Sequence, residues 1–145
     1  GKGYSTTFTG LSHNLSRPAI LVDDRVALTP FGGDLRVGGT MELSGINHNI
    51  YIPRVQAIIN AVRKNFTAFD FVLPPKEKLW CGLRPVSPDG LPYLGNSKKY
   101  DNLTIAGGHA MLGVSMAAGT GNVVADLVEN GRSEVKIDKF RVDRY

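Results

Sequence analysis

Two stretches of this chain have residue types and spacing that suit chemistry. The first runs Trp80-Cys81-Gly82-Leu83-Arg84-Pro85-Val86-Ser87-Pro88-Asp89-Gly90-Leu91-Pro92-Tyr93-Leu94-Gly95. A residue before proline is pushed out of the helical region, and Pro-Asp-Gly is a turn signal. Arg84 is therefore expected to project from a stiff, extended backbone, which suits a guanidinium that clamps a planar anion. The same residues also describe a surface loop with a solvated arginine, and the sequence by itself leaves both open.

The second stretch is Gly107-Gly108-His109-Ala110-Met111-Leu112-Gly113. It lies between a short apolar strand, Leu103 to Ala106, and a helical run, Val114 to Glu129. Strand, glycine-rich turn and helix together deliver free backbone N–H groups and the positive end of a helix dipole to an anion. The spacing is not Gly-X-Gly-X-X-Gly, so no pyrophosphate fingerprint is present. A plain connection that needs glycine for tight packing is the alternative.

Other chemistries find no support. His13, His48 and His109 are far apart, with no carboxylate or cysteine at ligand spacing, so no metal site is expected. Ser87, Asp89 and His109 lack a nucleophile-elbow sequence, which argues against a hydrolase. There is no phosphate-binding loop of the Gly-X-X-X-X-Gly-Lys type. The three Asn-X-Ser/Thr sequons, at Asn14, Asn65 and Asn102, read as chance matches.

The elements that must position these residues follow from patterning. Tyr4 to Thr9 is rich in β-branched and aromatic residues and reads as a strand. Ala19 to Val22 and Arg25 to Pro30 read as a hairpin about an Asp23-Asp24 turn, and Leu35 to Leu43 as a further strand. Gly38-Gly39 within it predicts a bulge or a close backbone approach. Ile52, Val55, Ile58, Ile59, Val62 and Phe66 fall three or four apart and predict a helix with one buried face, Pro53 in its first turn. In the last helix Val123, Val124, Leu127 and Val128 are expected to face inward, with Asn130-Gly131 as the stop. Ala117, Ala118, Gly119 and Gly121 make its early turns thin, as if something packs there. Arg132 to Tyr145 reads as a docked extended segment.

With 145 residues, 42% hydrophobic and 21% charged, the chain is long enough to bury a core of its own. Seventeen basic residues against 13 acidic ones give a net charge of +4, but they are scattered without interleaved aromatics, so no nucleic-acid partner is expected. The single cysteine, Cys81, excludes an internal disulfide, fits a reducing compartment, and beside Trp80 reads as a packing residue. No apolar run approaches the ~18 residues of a spanning helix, and no signal peptide opens the chain. It starts Gly-Lys-Gly-Tyr without methionine, which suggests a piece of something longer.

Read together, Gly1-Lys-Gly-Tyr-Ser, Leu35-Arg-Val-Gly-Gly-Thr-Met-Glu42, the Trp80 to Gly95 run and Asn102-Leu-Thr-Ile-Ala-Gly-Gly-His-Ala-Met-Leu-Gly-Val114 resemble a known pattern. It is that of the C-terminal part of FAD-dependent amine and amino-acid oxidoreductases: glycine oxidase, sarcosine oxidase and above all D-amino-acid dehydrogenase. The resemblance covers nearly the whole chain, with the blocks in the family's order. It implies an α+β fold. An antiparallel or mixed sheet packed with helices would form part of a substrate domain over residues 1–79. Residues 80–145 would return to the FAD-binding domain and complete it with a strand-turn-helix.

The resemblance also implies roles. Arg84 would hold the substrate carboxylate. Gly108, His109, Met111, Leu112, Gly113, Val114 and Ser115 would lie against the flavin of FAD, with the first amides of the helix facing its N1 and C2 carbonyl. Met41 would line the substrate pocket. Met111 stands where glycine oxidase carries a second arginine on the substrate side, and that departure points toward the dehydrogenase branch. No residue is implied as a dedicated general base. The ADP half of FAD has no site in these residues, so the partner implied is an N-terminal FAD-binding half, alongside a small amino-acid substrate. By itself the chain is expected to bind FAD poorly and to be inactive. The resemblance further implies a cytoplasmic enzyme, peripheral at the inner membrane face if a membrane quinone takes the electrons. Which amino acid is oxidised, and whether oxygen or a quinone is the acceptor, stay open. So do a carboxylate-binding module and an interaction domain, both without flavin.

Overall fold

β1 (Lys2–Phe8) is an interior strand of the first sheet, in a computed structural model that describes residues 1–145. Its β-branched and aromatic residues suit a pleated surface with partners on both sides. β4 (Asp34–Glu42) pairs with it on one side and β5 (Leu79–Leu83) on the other, both antiparallel. With β2 (Ala19–Leu21) and β3 (Val26–Phe31) the order is β2-β3-β4-β1-β5. The β2–β3 hairpin forms as expected, and Arg25 closes it in the left-handed region at φ 54°.

α1 (Ile52–Asn65) covers this sheet. Of its predicted apolar stripe, Val55, Ile58, Ile59 and Val62 are buried, together with Tyr4, Val26, Leu28, Leu35 and Val37 of the sheet, and Phe66 packs partly buried against them, whereas Ile52 at the helix start is exposed. Proline stands in the first turn, where no N–H is needed. Arg63 and Lys64 stand in the last, where cations suit the dipole. Phe8, Phe71 and Phe69 extend the core as a stack, with ring centroids 3.8 and 4.9 Å apart. Ile59 is fully buried in this cluster. Ile59→Ala is therefore expected to cost about 2–5 kcal/mol in urea unfolding, and a change below about 1 kcal/mol would show that the site collapses around the smaller side chain.

The glycine pair in β4 resolves into two features. A Cβ on Gly39 would stand 2.7 Å from the Arg25 carbonyl oxygen, so close backbone approach requires glycine there. The irregularity in pairing comes one step later. Tyr4 pairs with Gly39 but Lys2 with Glu42, so Thr40 and Met41 carry the extra residue, and Thr40 has φ 66°.

Trp80 to Leu83, read from sequence as part of a stiff loop, belongs to β5. Trp80 pairs with Ser5 and Gly82 with Gly3. A Cβ on Gly82 would meet the Trp80 ring at 2.1 Å, so the indole occupies the space that this glycine leaves. Cys81 is half-buried against the core, and its thiol donates to the His48 carbonyl at 3.3 Å, in keeping with a packing role.

The chain divides into two compact units, Gly1–Leu83 and Arg84–Tyr145. In the second, β6 (Tyr93–Asn96) and β7 (Thr104–Gly107) pair antiparallel, and α2 (Gly113–Asn130) packs on them through Val123 and Leu127 against Leu94. Gly131 ends α2 in the left-handed conformation at φ 72°, its N–H bonded to the Leu127 carbonyl.

Two expectations for this unit need correction, those for Val128 and the tail, while the thin early turns of α2 meet no partner within this chain. Val128 is 71% exposed, because the two-stranded sheet is too narrow to cover a full helix face. Nothing lies within 4 Å of a Cβ built on Gly119 or Gly121, so the thin early turns of α2 are open within this chain. The tail is docked but not extended: it bends through a 3-10 turn at Asp138–Phe140, and Ile137 and Phe140 pack on the Leu94 cluster. No helix is long and apolar enough to cross a membrane.

Candidate functional site

The backbone of the second unit brings Arg84 and the glycine-rich turn together. Val86 forms an antiparallel bridge with His109, and the Ala110 N–H donates to the Pro85 carbonyl at 3.0 Å. Arg84 is thus one residue from a direct backbone tie to the turn that opens α2. Its side chain is half-buried, and burial pushes the guanidinium pKa down. Even so, guanidinium stays protonated at any physiological pH.

The turn has an unusual backbone. Gly108 has φ 78° and Ala110 φ 49°, so two of three consecutive residues are left-handed. Glycine adopts this freely, whereas alanine does so at a cost met by its surroundings. Two features hold the turn in shape. The Leu112 N–H donates to the His109 carbonyl at 2.9 Å, and His109 Nε2 hydrogen-bonds Thr120 Oγ1 at 3.0 Å. The imidazole thus reaches along α2 and fastens the turn to the helix it precedes. Thr120 was not legible as a site residue, since its only sequence signal is that it lies 11 residues beyond His109.

α2 begins with Leu112 as the capping residue and with no side chain bonded to its first amides. The first bond of the helix's own ladder runs from the Met116 N–H to the Leu112 carbonyl at 2.9 Å. The amides of Gly113, Val114 and Ser115 precede it and lie outside that ladder, at the positive end of the dipole. Around them Met111, Leu112 and Val114 are 69%, 58% and 93% exposed. This donor set fits the electron-rich edge of a flat, largely apolar ring system: N–H groups converge in the middle, with apolar side chains to either side. Gly108, His109 and Met111 to Ser115 follow one another along the turn and first turn of α2, and the Arg84 segment is tied to that turn through Pro85 and Val86. Met41 belongs to the first unit, at the β4 bulge, where its side chain lies against Gly1.

The Ser87–Leu91 turn is closed by its own side chains. Ser87 Oγ lies 2.6 Å from the Leu91 carbonyl oxygen and 3.0 Å from Asp89 Oδ1, its one hydrogen shared between these acceptors, and the Leu91 N–H donates to the same carboxylate at 3.1 Å. Ser87 and Asp89 are thereby engaged with each other, while His109 is engaged with Thr120. No group of His, Cys, Asp and Glu is arranged to hold a metal.

A polar cluster in the first unit went unread in the sequence. Lys2, only 2% exposed, pairs with Glu42 at 3.1 Å and donates to Asn47 Oδ1 at 2.7 Å and the Asn49 carbonyl at 2.6 Å. The hydroxyls of Ser44 and Tyr4 both donate to Glu42, and Arg54 approaches it at 3.4 Å. These bonds, that from Ser44 foremost and then those from Tyr4 and Lys2, lower the Glu42 pKa to about 2.

Comparison with known proteins gives these features a family. The profile of the FAD dependent oxidoreductase (DAO) family matches residues 1–127. The D-amino acid dehydrogenase of Dechloromonas aromatica (strain RCB) is 37% identical over 142 residues, which are 97% of this chain and 33% of that protein. That of Methylobacterium radiotolerans is 36% identical over 146 residues, 99% of this chain and 34% of that protein. The chain thus spans about a third of the length of these curated relatives. Among solved structures, glycine oxidase from Geobacillus kaustophilus superposes with a TM-score of 0.82 at 25% identity, over 99% of this chain and 38% of that one. L-proline dehydrogenase from P. horikoshii shares the fold, with a TM-score of 0.83 at 19% identity, over 97% of this chain and 38% of that one. From the Lys-Gly start of β1 to the helix behind the Gly-His turn, this chain belongs to the FAD-dependent oxidoreductase family.

Proposed function

We propose that this chain supplies the substrate-carboxylate clamp and one edge of the flavin site in an FAD-dependent enzyme that oxidises a D-amino acid, or glycine or a secondary amine. The observation that supports this is the backbone tie between the Arg84-Pro85-Val86 segment and the His109-Ala110 turn, which joins the segment carrying Arg84 to the turn that opens α2. FAD, when bound, accepts hydride at N5 and gathers negative charge toward N1 and O2. Preoriented amides of Gly113, Val114 and Ser115 would stabilise such charge.

Arg84 would fork onto the substrate carboxylate and fix the orientation of Cα. With the amine neutral, its lone pair drives the Cα hydride off to the flavin, giving an imino acid that water hydrolyses to a keto acid and ammonia, or to a keto acid and a primary amine where the substrate is a secondary amine. Binding geometry carries this step, and no side chain of the chain is assigned as a base. Met111 would shape the apolar part of the site on the α2 side. The α2 strand-turn-helix would complete an FAD-binding domain whose adenine-nucleotide contacts come from an N-terminal half. Electrons would leave to oxygen or to a membrane quinone, in a cytoplasmic setting.

The test is anaerobic mixing of the full-length, FAD-loaded protein with D-alanine or glycine. Bleaching of the flavin's visible absorption, with one keto acid formed per flavin reduced, is the expected result. Carboxylate binding to the isolated chain with no flavin requirement would replace this reading with that of a flavin-free binding module.

A further inference from the structure

Arg144 makes the densest set of polar contacts in the second unit, and nothing above gives it a part. Its side chain is 9% exposed. Nε donates to Asp89 Oδ2 at 2.8 Å and Nη2 to Asp89 Oδ1 at 2.9 Å, a two-point fork on the turn carboxylate. Its other donors reach the carbonyls of Leu91 at 2.8 Å, Pro92 at 3.2 Å, Phe140 at 3.3 Å and Arg141 at 2.9 Å. The guanidinium carbon lies 4.0 Å from the centroid of the Tyr93 ring and 5.2 Å from that of Tyr145. An ordinary surface strap does not bury a guanidinium with an acceptor for every N–H and aromatic rings around it.

The segment this arginine holds is the one that displays Arg84. Between Arg84 and Asp89 stand two prolines, Pro85 and Pro88, each fixing its own φ and restricting the residue before it. Ser87, buried between them, is bonded to Asp89 and Leu91. Such a link transmits a displacement where a flexible one would absorb it. The segment has two anchors in this unit: the bridge of Val86 to His109 at one end and the Arg144 fork at the other.

We infer that Arg144 is a positioning residue for Arg84: by gripping the Ser87–Pro92 turn it sets the direction in which Arg84 meets a substrate carboxylate. This rests on the reading of Arg84 as the clamp. The geometry assigns Arg144 no contact with substrate or flavin.

The test is a double-mutant cycle in the full-length, FAD-loaded enzyme, with KM and kcat for D-alanine and Kd for propionate read from the flavin spectrum. Arg144→Ala is expected to raise KM and Kd about tenfold or more, since small misplacements at a distance cost up to ~100-fold. Flavin content and spectrum without ligand should stay those of the parent. In an Arg84→Ala background, adding Arg144→Ala should change neither constant further. Parental KM and Kd in Arg144→Ala, or effects that multiply in the double variant, would overturn the inference while leaving the clamp intact, provided Arg84→Ala alone weakens both. If Arg84→Ala weakens neither, the clamp reading fails and this one with it. Should Arg144→Ala not fold, Arg144→Lys carries the same expectation at several-fold, since a point charge cannot reproduce the fork, and parental constants in it would overturn the inference.

Discussion

Arg84→Ala in the full-length enzyme is expected to lower kcat/KM for an amino-acid substrate about 10²–10³-fold. The size follows from what is lost. A guanidinium and a carboxylate that meet away from bulk water make two charge-assisted hydrogen bonds, and truncating one partner of such a pair typically removes about 2–5 kcal/mol. Part of the loss should appear in kcat, because an untethered substrate samples orientations in which Cα does not face the acceptor. Arg84→Lys should recover only part of the loss, since an ammonium supplies charge without the planar fork. Steady-state kinetics with D-alanine decide the matter, and a KM within twofold of the parent for Arg84→Ala would remove the clamp from the mechanism.

The second large effect is expected at Glu42. This carboxylate is the only counter-charge in hydrogen-bonding reach of buried Lys2, whose other partners are the neutral oxygens of Asn47 and Asn49. Glu42→Ala leaves that ammonium without an opposite charge and frees the hydroxyls of Tyr4 and Ser44. It should therefore destabilise the first unit more than Ile59→Ala does. The cluster also sets a pH dependence. With the folded pKa near 2, below the ordinary value of 4.5, the native state binds fewer protons than the unfolded chain between those values. The stabilisation is complete above about pH 4.5 and is lost as the pH falls toward 2. Urea midpoints measured across that range should fall steadily in the parent and less steeply in Glu42→Gln. Equal slopes would mean that other carboxylates govern acid unfolding.

What the sequence made legible is what is decided within a few residues. The stripe of α1, its early proline, the β2–β3 hairpin and the Gly131 stop are local patterns, and each stands where the pattern puts it. The placement of Arg84 before Pro85 and the strand-turn-helix around His109 were legible for the same reason. What escaped is decided by partners far along the chain. β5 looked like loop because Gly82 and the prolines after it mask a strand that exists only through pairing with β1. The grip of Arg144 on Asp89 spans 55 residues and leaves no periodic trace. Lys2 and Tyr4 reach Glu42 across the β4 bulge, whose extra residue no propensity announces.

The place of β1 inside the sheet, between β4 and β5, has a consequence in time as well as in space. β2, β3 and β4 follow one another through short turns, so their pairing closes small loops and can come early. β1 must find β4 across the whole hairpin and β5 across α1, as the bond from Thr6 Oγ1 to the Lys78 carbonyl, 72 residues away, makes plain. Contacts of that separation slow folding and keep strand edges exposed while it proceeds. β1 therefore enters the sheet through contacts of long separation, and β5 can join the sheet only through β1. Until β1 enters, the edges of β4 and β5 stay unpaired, open to the same edge on another chain.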